Sequence, residues 1–162
     1  MAKKFFIILL VVFVCACTSN LEHSEYRSLN NGIWTMKDTL RFSFANVDSL
    51  TRRNIFINVR NDNSYEFSNL FLITAMESPK GEIVIDTLEF EMALPDGSWL
   101  GKGTGSIKEN KLWFRENVVF PDSGVYNFKI SHAMRKNGSV GGIQELKGIT
   151  DIGLQIEKTQ SP

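Results

Sequence analysis

The sequence has few cysteines and histidines, and its positive and negative charges balance. The only cysteines are Cys15 and Cys17, so an exported domain built from the rest of the chain has no disulfide, although oxidising compartments permit them. The only histidines are His23 and His132, which excludes a zinc site made of several histidine and cysteine ligands. The 18 basic residues balance the 18 acidic ones, which gives no electrostatic reason to expect a nucleic acid or an anionic membrane face as a partner.

Long apolar runs are also missing, with one exception at the amino terminus. Lys3 and Lys4 precede an uninterrupted apolar run over residues 5–14, and small residues follow directly. An apolar run of about 7–15 residues is typical of a cleaved signal peptide, whereas a membrane-spanning helix needs about 20. An alanine immediately before Cys17 matches the lipobox at which bacterial signal peptidases cut. The sequence therefore predicts a signal peptide over residues 1–16 and lipidation of Cys17.

The sequence leaves two alternatives to lipidation of Cys17. Cys15 is the weaker candidate, because it would place Val14 where the peptidase needs a small side chain. An ordinary secretory signal would leave Cys17 as a free thiol. Acyl chains contribute about 0.8 kcal/mol per buried methylene and hold a domain to a bilayer without a spanning segment. Thr18 stands where an aspartate commonly retains lipoproteins at the inner membrane, which favours the outer membrane facing the periplasm over the inner membrane.

The part of the chain after the signal is the usual size of one domain with one core. Residues 17–29 are polar and show almost no apolar periodicity, so we interpret them as a lipidated amino terminus with a flexible tether. Residues 30–159 are expected to form a single domain.

The pattern within that domain is all-β, because apolar residues recur with period two between clusters of turn residues. About eight such strands predict a two-sheet β-sandwich, immunoglobulin-like or jelly-roll-like, rather than alternating strands and helices. Strands are expected at 40–44, 55–59, 69–76, 88–92, in a glycine-rich stretch after Trp99, and at 111–120, 124–132 and 152–156.

The segment from Asp122 to Tyr126 has the form of a tyrosine corner. In such a corner the tyrosine hydroxyl bonds to nearby backbone before a late strand of a sandwich. The motif is short and adds modest support for a sandwich.

No catalytic constellation is recognisable. His132 shares a strand face with Tyr126, Phe128 and Ile130, so we interpret it as a packed histidine rather than a base. The alternating glycines at 101–105 lack the spacing of a phosphate loop and are interpreted as structural. The sequence predicts no enzyme activity, no metal and no cofactor.

Six short blocks of the sequence occur in a definite order and spacing. They are NIFINVRNDN at 54–63, SNLFL at 68–72, DTLE at 86–89, GSWLGKGTG at 97–105, HAMR at 132–135 and GITDIGL at 148–154. In this order the chain resembles the gliding motility lipoprotein GldH family of the Bacteroidota over nearly its whole length. The resemblance implies a non-catalytic envelope lipoprotein that supports gliding and associates with the gliding apparatus and the linked type IX secretion system. It supplies no catalytic residues.

Polar residues on predicted loops are the first candidates for a partner surface, because packing explains them less easily. We expect such a surface at the turn after the second predicted strand and near the HAMR block. The candidate residues are Arg60, Asn61, Asp62, Tyr65 and Arg135.

A second hypothesis is a ligand-binding module, for example for a glycan, because β-sandwiches often bind sugars through exposed aromatic side chains. The candidate stacking residues are Trp34, Trp99 and Trp113. Exposure of at least two of them, coplanar on one face, would support glycan binding. Burial of the tryptophans would favour the interaction hypothesis.

Overall fold

The computed structural model describes residues 20–159 as an open β-sandwich, which confirms the all-β prediction. The one helical element in this part of the chain is a 3-10 turn at Asn30–Gly32, and no helix within it is long and apolar enough to cross a membrane. The strands are β1 (Leu21–Ser28), β2 (Ile33–Thr35), β3 (Leu40–Asn46), β4 (Arg52–Asn61), β5 (Asn69–Glu77), β6 (Ile83–Glu91), β7 (Lys108–Val119), β8 (Gly124–His132), β9 (Glu145–Lys147) and β10 (Ile149–Lys158).

Two four-stranded antiparallel sheets form the sandwich. The first sheet has the strand order β1-β10-β4-β7, and the second has the order β3-β8-β5-β6. The short strands β2 and β9 form a separate two-stranded ribbon.

Strict alternation along the strands builds the core between the two sheets. In β4 the apolar residues Ile55, Ile57 and Val59 are fully buried, and the apolar positions of the partner strand β10 are equally buried. The second sheet contributes mostly aromatic side chains from β3 and β8. The buried residues of β3, β8 and β10 in this core are Phe42, Phe44, Tyr126, Phe128, Ile130, Ile149, Ile152, Leu154 and Ile156.

The loops gather at two opposite ends of the sandwich. The near end is the one where β1 begins and β10 ends, and it carries the loops 47–51, 78–82 and 120–123. The far end carries the loops 62–68 and 92–107 and the connections on either side of β9. Both names are kept below.

The tether predicted before residue 30 is wrong for residues 21–28, which form edge strand β1 paired with β10. The period-two pattern of apolar residues is missing from β1, because the residues of β1 that face inward are polar. His23 packs edge-on against Phe44, and the guanidinium of Arg27 lies over the ring of Phe42. Polar side chains thus cover aromatic rings at the rim of the sandwich, where an apolar residue was expected.

The glycine-rich strand predicted after Trp99 is also wrong. Residues 100–107 form a loop in which a single antiparallel bridge joins Lys102 to Glu109. With β1, β2 and β9 added, ten strands are present among residues 20–159 rather than about eight.

The tyrosine corner is confirmed. The Tyr126 hydroxyl accepts a hydrogen bond from the backbone N–H of Asp122 at 3.1 Å, and its ring is buried. This bond fixes the entry of the chain into β8.

Candidate functional site

The outer face of the first sheet carries a network of polar and aromatic side chains that crosses all four strands. In β4, Phe56, Asn58 and Arg60 alternate with the core residues and lie on the outer side of the sheet, where neighbouring side chains cover Phe56 and Asn58 almost completely. Their cross-strand neighbours on β7 and β10 join them. We call this surface the polar–aromatic face, defined by Tyr26, Phe56, Asn58, Arg60, Glu109, Lys111, Trp113, Gln155 and Glu157.

Tyr26 of β1 is the centre of one half of this face. Its hydroxyl donates to Glu109 Oε1 at 2.7 Å and accepts from Asn58 Nδ2 at 3.0 Å, and the guanidinium of Arg60 stacks 4.4 Å from the ring centroid. Gly153 makes this possible, because a Cβ there would lie 2.8 Å from the Tyr26 ring. Four strands are thus joined around one aromatic ring.

The electrostatics of this half keep Tyr26 neutral. Burial of the phenol, together with its bond to Glu109, raises the pKa of Tyr26 to about 12. At neutral pH the hydroxyl therefore remains a donor to the carboxylate.

The other half of the face is a chain of hydrogen bonds. Asn58 Nδ2 donates to Gln155 Oε1 at 2.6 Å, and Gln155 Nε2 donates to Glu157 Oε1 at 2.6 Å. Lys111 Nζ bonds the same carboxylate oxygen at 2.7 Å and lies 4.0 Å from the ring centroid of Phe56. The amide, carboxylate and ammonium groups fix one another in place.

Trp113 gives this half an exposed aromatic surface. Its ring centroid lies 4.4 Å from that of Phe56, and 54% of the residue is exposed. Beside it is a cleft of about 440 Å³ whose lining includes Lys111, Glu157 and Lys158. A second cleft of about 550 Å³ adjoins it and is lined by Asn58, Gln155 and Glu109, among others.

The arrangement is suited to non-covalent recognition. It offers an aromatic plane, paired charges and amide groups on a sheet that cannot deform easily. Among residues 20–159, no group of three histidine, aspartate or glutamate side chains is placed to hold a metal ion.

Of the predicted partner-surface residues, Arg60 lies on the polar–aromatic face, whereas Asn61 and Tyr65 do not. Asn61 is fully buried, and its side-chain oxygen accepts from Asn110 Nδ2 at 2.9 Å. Tyr65 is buried at the far end, where its hydroxyl donates to the Asn69 carbonyl at 2.6 Å. Packing and internal hydrogen bonds explain both residues, so neither is available to a partner.

Asp62 and Arg135 also lie at the far end. The Asp62 carboxylate accepts from the backbone N–H of Ser64 at 2.8 Å, which is the polar turn expected there. Arg135 is exposed and forms an isolated backbone bridge with Gly142, next to a cleft of about 380 Å³ lined mostly by residues 136–147. The five predicted residues therefore do not form one surface.

The three tryptophans do not meet the condition set for the glycan hypothesis. Trp34 is fully buried, with its indole N–H donating to the Asp38 carbonyl at 3.0 Å, so its prediction as a stacking residue is wrong. Trp99 is half-buried against Tyr65. Trp113 alone of the three is exposed.

His132 is a packed histidine at the far end. It is 3% exposed and stacks edge-on against Trp34, with ring centroids 5.4 Å apart. Burial lowers the pKa of the ring, and a hydrogen bond with the Trp34 backbone offsets only part of that shift. A neutral imidazole therefore occupies this position at neutral pH.

Sequence reasoning missed most of the polar–aromatic face. Tyr26 was assigned to the tether, and Lys111 and Glu157 were not considered. The alternation in the NIFINVRNDN block was the available signal, because it places Phe56, Asn58 and Arg60 on the face opposite the core. The predicted signal peptide and the predicted lipidation site Cys17 lie outside the described residues.

Comparison with known proteins identifies close relatives. A family model described as GldH lipoprotein matches residues 22–156. The chain is 46% identical over 157 residues to a gliding motility lipoprotein GldH homolog of Christiangramia forsetii, covering 97% of this chain and 96% of the relative. It is 39% identical over 152 residues to the gliding motility lipoprotein GldH of Flavobacterium johnsoniae, with 94% of each chain covered.

Similarities to solved structures are distant. A chain of the infectious bursal disease virus VP2 subviral particle gives a TM-score of 0.38 at 14% identity over 85% of this chain and 34% of that one. A family GH115 4-O-methyl-alpha-glucuronidase with specificity for decorated arabinogalactans gives 0.38 at 11% identity over 87% of this chain and 17% of that one. The chain spans a third or less of these proteins, and the similarity indicates no function.

Proposed function

The chain belongs to the GldH lipoprotein family, and from that premise we propose that it is a lipid-anchored envelope protein supporting gliding motility as a non-catalytic interaction component. In this proposal residues 1–16 are removed as a signal peptide and Cys17 carries the acyl chains. The partners are proteins of the gliding apparatus and the linked type IX secretion machinery. The anchor lies in the outer membrane and the domain faces the periplasm.

The polar–aromatic face is the observation that carries the interaction role. Tyrosine, tryptophan and arginine are enriched at the centres of protein interfaces, and Tyr26, Arg60 and Trp113 occupy this one face. Arg60 and Trp113 lie four residues apart in register along neighbouring strands, about 13 Å at the rise of a β-strand. That span fits within one partner footprint.

The rigidity of the face supports the same role. Its side chains are held by mutual hydrogen bonds before any partner arrives, so binding would order few additional groups. The charges are mixed, with Lys111 bonded to Glu157 and Arg60 3.5 Å from Glu109. We therefore propose a partner surface that is itself mixed in charge and presents acceptors and an apolar group.

Glycan binding is the second candidate function, and one observation favours it. Trp113 is exposed beside a cleft that holds an ammonium and a carboxylate, groups that hydrogen-bond sugar hydroxyls. One exposed tryptophan offers a smaller stacking surface than two coplanar ones, so this candidate ranks below the protein partner.

Crosslinking of the native lipoprotein in envelopes, followed by pull-down and mass spectrometry, tests these proposals. The test variant combines Arg60→Ala with Trp113→Ser. Its matched control combines Arg41→Ala with Val125→Ser, an exposed arginine and an apolar residue of 49% exposure on the outer face of the second sheet. A Cys17→Ala variant removes the anchor.

We expect gliding or type IX secretion proteins to accompany the wild type and the control, and to be lost from the test variant and from Cys17→Ala. Equal recovery with the test variant and the control would overturn the polar–aromatic face as the partner surface. Recovery of the lipoprotein alone, together with a hit on a glycan array that Trp113→Ser abolishes, would establish the second candidate instead.

A further inference from the structure

The chain enters the sandwich very close to the proposed lipid attachment point. The Asn20 carbonyl already accepts a hydrogen bond from the backbone N–H of Lys158 at 2.9 Å, so sheet pairing begins at the first described residue. Asn20 is the third residue after Cys17, and a fully extended chain spans at most about 3.6 Å per residue. The two Cα atoms are therefore no more than about 11 Å apart. The near end must lie at the membrane surface once Cys17 is lipidated.

An ion pair between a buried arginine and a surface glutamate joins the start of β1 to the β3–β4 loop at this end. Arg53 is fully buried, and its guanidinium bonds both carboxylate oxygens of Glu22 at 2.6 and 3.1 Å. The same guanidinium donates to the carbonyls of Asp48 and Thr51, both at 3.1 Å. One arginine thus holds the entering chain and the loop 47–51 side by side.

The loop itself is held in a fixed shape. The Asp48 carboxylate accepts from the backbone N–H groups of Leu50 at 2.8 Å and Thr51 at 3.3 Å, and it also bonds the Thr51 hydroxyl. These bonds give the backbone N–H groups inside the loop an acceptor and leave the Leu50 side chain on the outside of the loop.

A buried asparagine fixes the loop to its neighbour. Asn46 is 1% exposed, and its amide donates to the carbonyls of Phe120 at 3.0 Å and Asp122 at 2.8 Å. Its side-chain oxygen accepts from the backbone N–H of Asp48 at 3.3 Å. The loop 47–51 is therefore anchored to the body of the domain at both ends.

This fixed loop presents two apolar side chains to solvent. Val47 and Leu50 are each 86% exposed. Among the large apolar side chains of residues 20–159 that are recorded as exposed, only Val140, at 94%, exceeds them, and it lies on a far-end loop. Val47 and Leu50 thus expose apolar surface on a fixed loop at the end of the domain that an acylated Cys17 would hold at the bilayer, and burial there would remove this surface from water.

We propose that the loop 47–51 is a membrane-docking element, in which Val47 and Leu50 enter the interfacial region of the same bilayer that holds the Cys17 acyl chains. The proposal rests on the proposed lipid anchor. Beside the loop, Arg53 pairs with Glu22 and Lys80 with Asp122, while the Asp48 carboxylate bonds Leu50 and Thr51 within the loop and Arg52 bonds the Asn117 carbonyl. Charges of both signs are present, so apolar burial rather than attraction to anionic lipid drives the docking. The two contacts, lipid and loop, fix the orientation of the sandwich on the membrane.

Depth-dependent fluorescence quenching tests the proposal on the full lipoprotein. Leu50→Cys carries an environment-sensitive fluorophore, in lipoprotein purified from cells that lipidate it and reconstituted into phosphatidylcholine vesicles containing spin-labelled lipid. Val140→Cys with the same fluorophore is the matched control, since both positions are exposed apolar loop residues at opposite ends. Lipidation occupies Cys17, so each variant has one reactive thiol.

We expect the spin-labelled lipid to quench the label at position 50 several-fold more than the label at position 140. Equal, weak quenching at both positions in vesicle-bound protein would overturn the docking element. A blue-shifted but unquenched label at position 50 would also overturn it, because a protein partner or a second copy would then cover the loop. Adding anionic lipid to the phosphatidylcholine vesicles should leave the quenching unchanged, and a strong dependence on anionic lipid would contradict apolar docking.

Vesicle flotation separates this outcome from failure of the proposed function. If Cys17→Ala floats as well as the wild type, the lipid anchor itself is wrong. If flotation requires Cys17 but the label at position 50 is not quenched, the lipid anchor is supported and the docking element is wrong. Because Leu50 is exposed, its replacement should leave folding intact, which circular dichroism checks.

Discussion

The two ends of the sandwich bury different kinds of polar group. The near end buries a charged group, Arg53, among aromatic rings beside a fixed loop with exposed apolar side chains. The polar groups buried at the far end are neutral: the amides of Asn61 and Asn110 bond each other, and His132 lies against a buried tryptophan.

This difference explains why polar motifs were a poor guide to function. The blocks at 97–105, 132–135 and 148–154 lie wholly or partly at the far end. There Asn61 and Tyr65 hold loops together by hydrogen bonds to buried groups. The surfaces proposed to contact a partner or a membrane lie on the outer face of the first sheet and at the near end. Most of their residues were not identified from the sequence.

The largest expected effect concerns the near end. Arg53→Ala should lower the free energy of unfolding by about 3 kcal/mol, because it takes the donor from the Asp48 and Thr51 carbonyls and opens a gap beside two aromatic rings. Arg52→Ala, which removes one exposed bond to the Asn117 carbonyl, should cost less than about 1 kcal/mol. Urea unfolding measures both, and equal losses would contradict the role given to Arg53.

The second prediction tests close packing at the far end. Gly148 has a φ of +85°, and a Cβ there would lie 2.1 Å from the Tyr65 nitrogen, so Gly148→Ala should cost about 2–3 kcal/mol. Gly97 has a φ of +86° with no atom within 4 Å of the added carbon, so Gly97→Ala should cost only about 1 kcal/mol. Thermal unfolding at one pH compares the two variants. Similar losses of stability would mean that the Tyr65 backbone moves away from the added carbon at little cost.

The third prediction uses acid to probe the far end. Burial lowers the pKa of His132 below its ordinary value of 6.5, so the unfolded chain binds the proton more readily. Stability is therefore fully present above pH 6.5 and is lost as pH falls through the lowered pKa. His132→Phe should flatten that part of the stability profile. An unchanged slope would show that the imidazole is not desolvated.

The fourth and smallest effect appears in alkali and tests how β1 is attached from outside. The pKa of Tyr26 is raised from 10.0 to about 12, so the contribution of the protonated phenol is intact below pH 10 and is lost as pH rises through about 12. Tyr65, whose pKa is also raised by burial, acts in the same direction. Tyr26→Phe should reduce the alkaline loss without removing it, as measured by unfolding at a series of high pH values.

The sequence predicted the strands whose inward residues are apolar, because burial imposes period two on them. It missed β1, where His23 and Arg27 cover aromatic rings that an aliphatic residue would ordinarily cover. Of the candidate site, Arg60 and Trp113 were identified and Tyr26 was not. Asn61, Tyr65 and Trp34 were misassigned because a sequence does not show whether a polar atom finds its partner inside the protein.

The edge position of β1 has a mechanical consequence. With the lipid on Cys17, a force between the membrane and the far end would act along the axis of β1. The seven residue pairs that join β1 to β10 would then be loaded together in shear instead of opening one after another. The Arg53–Glu22 ion pair adds a further bond at the start of β1, where the force would enter the strand. An acyl anchor on Cys17 would therefore pull against many backbone hydrogen bonds at once.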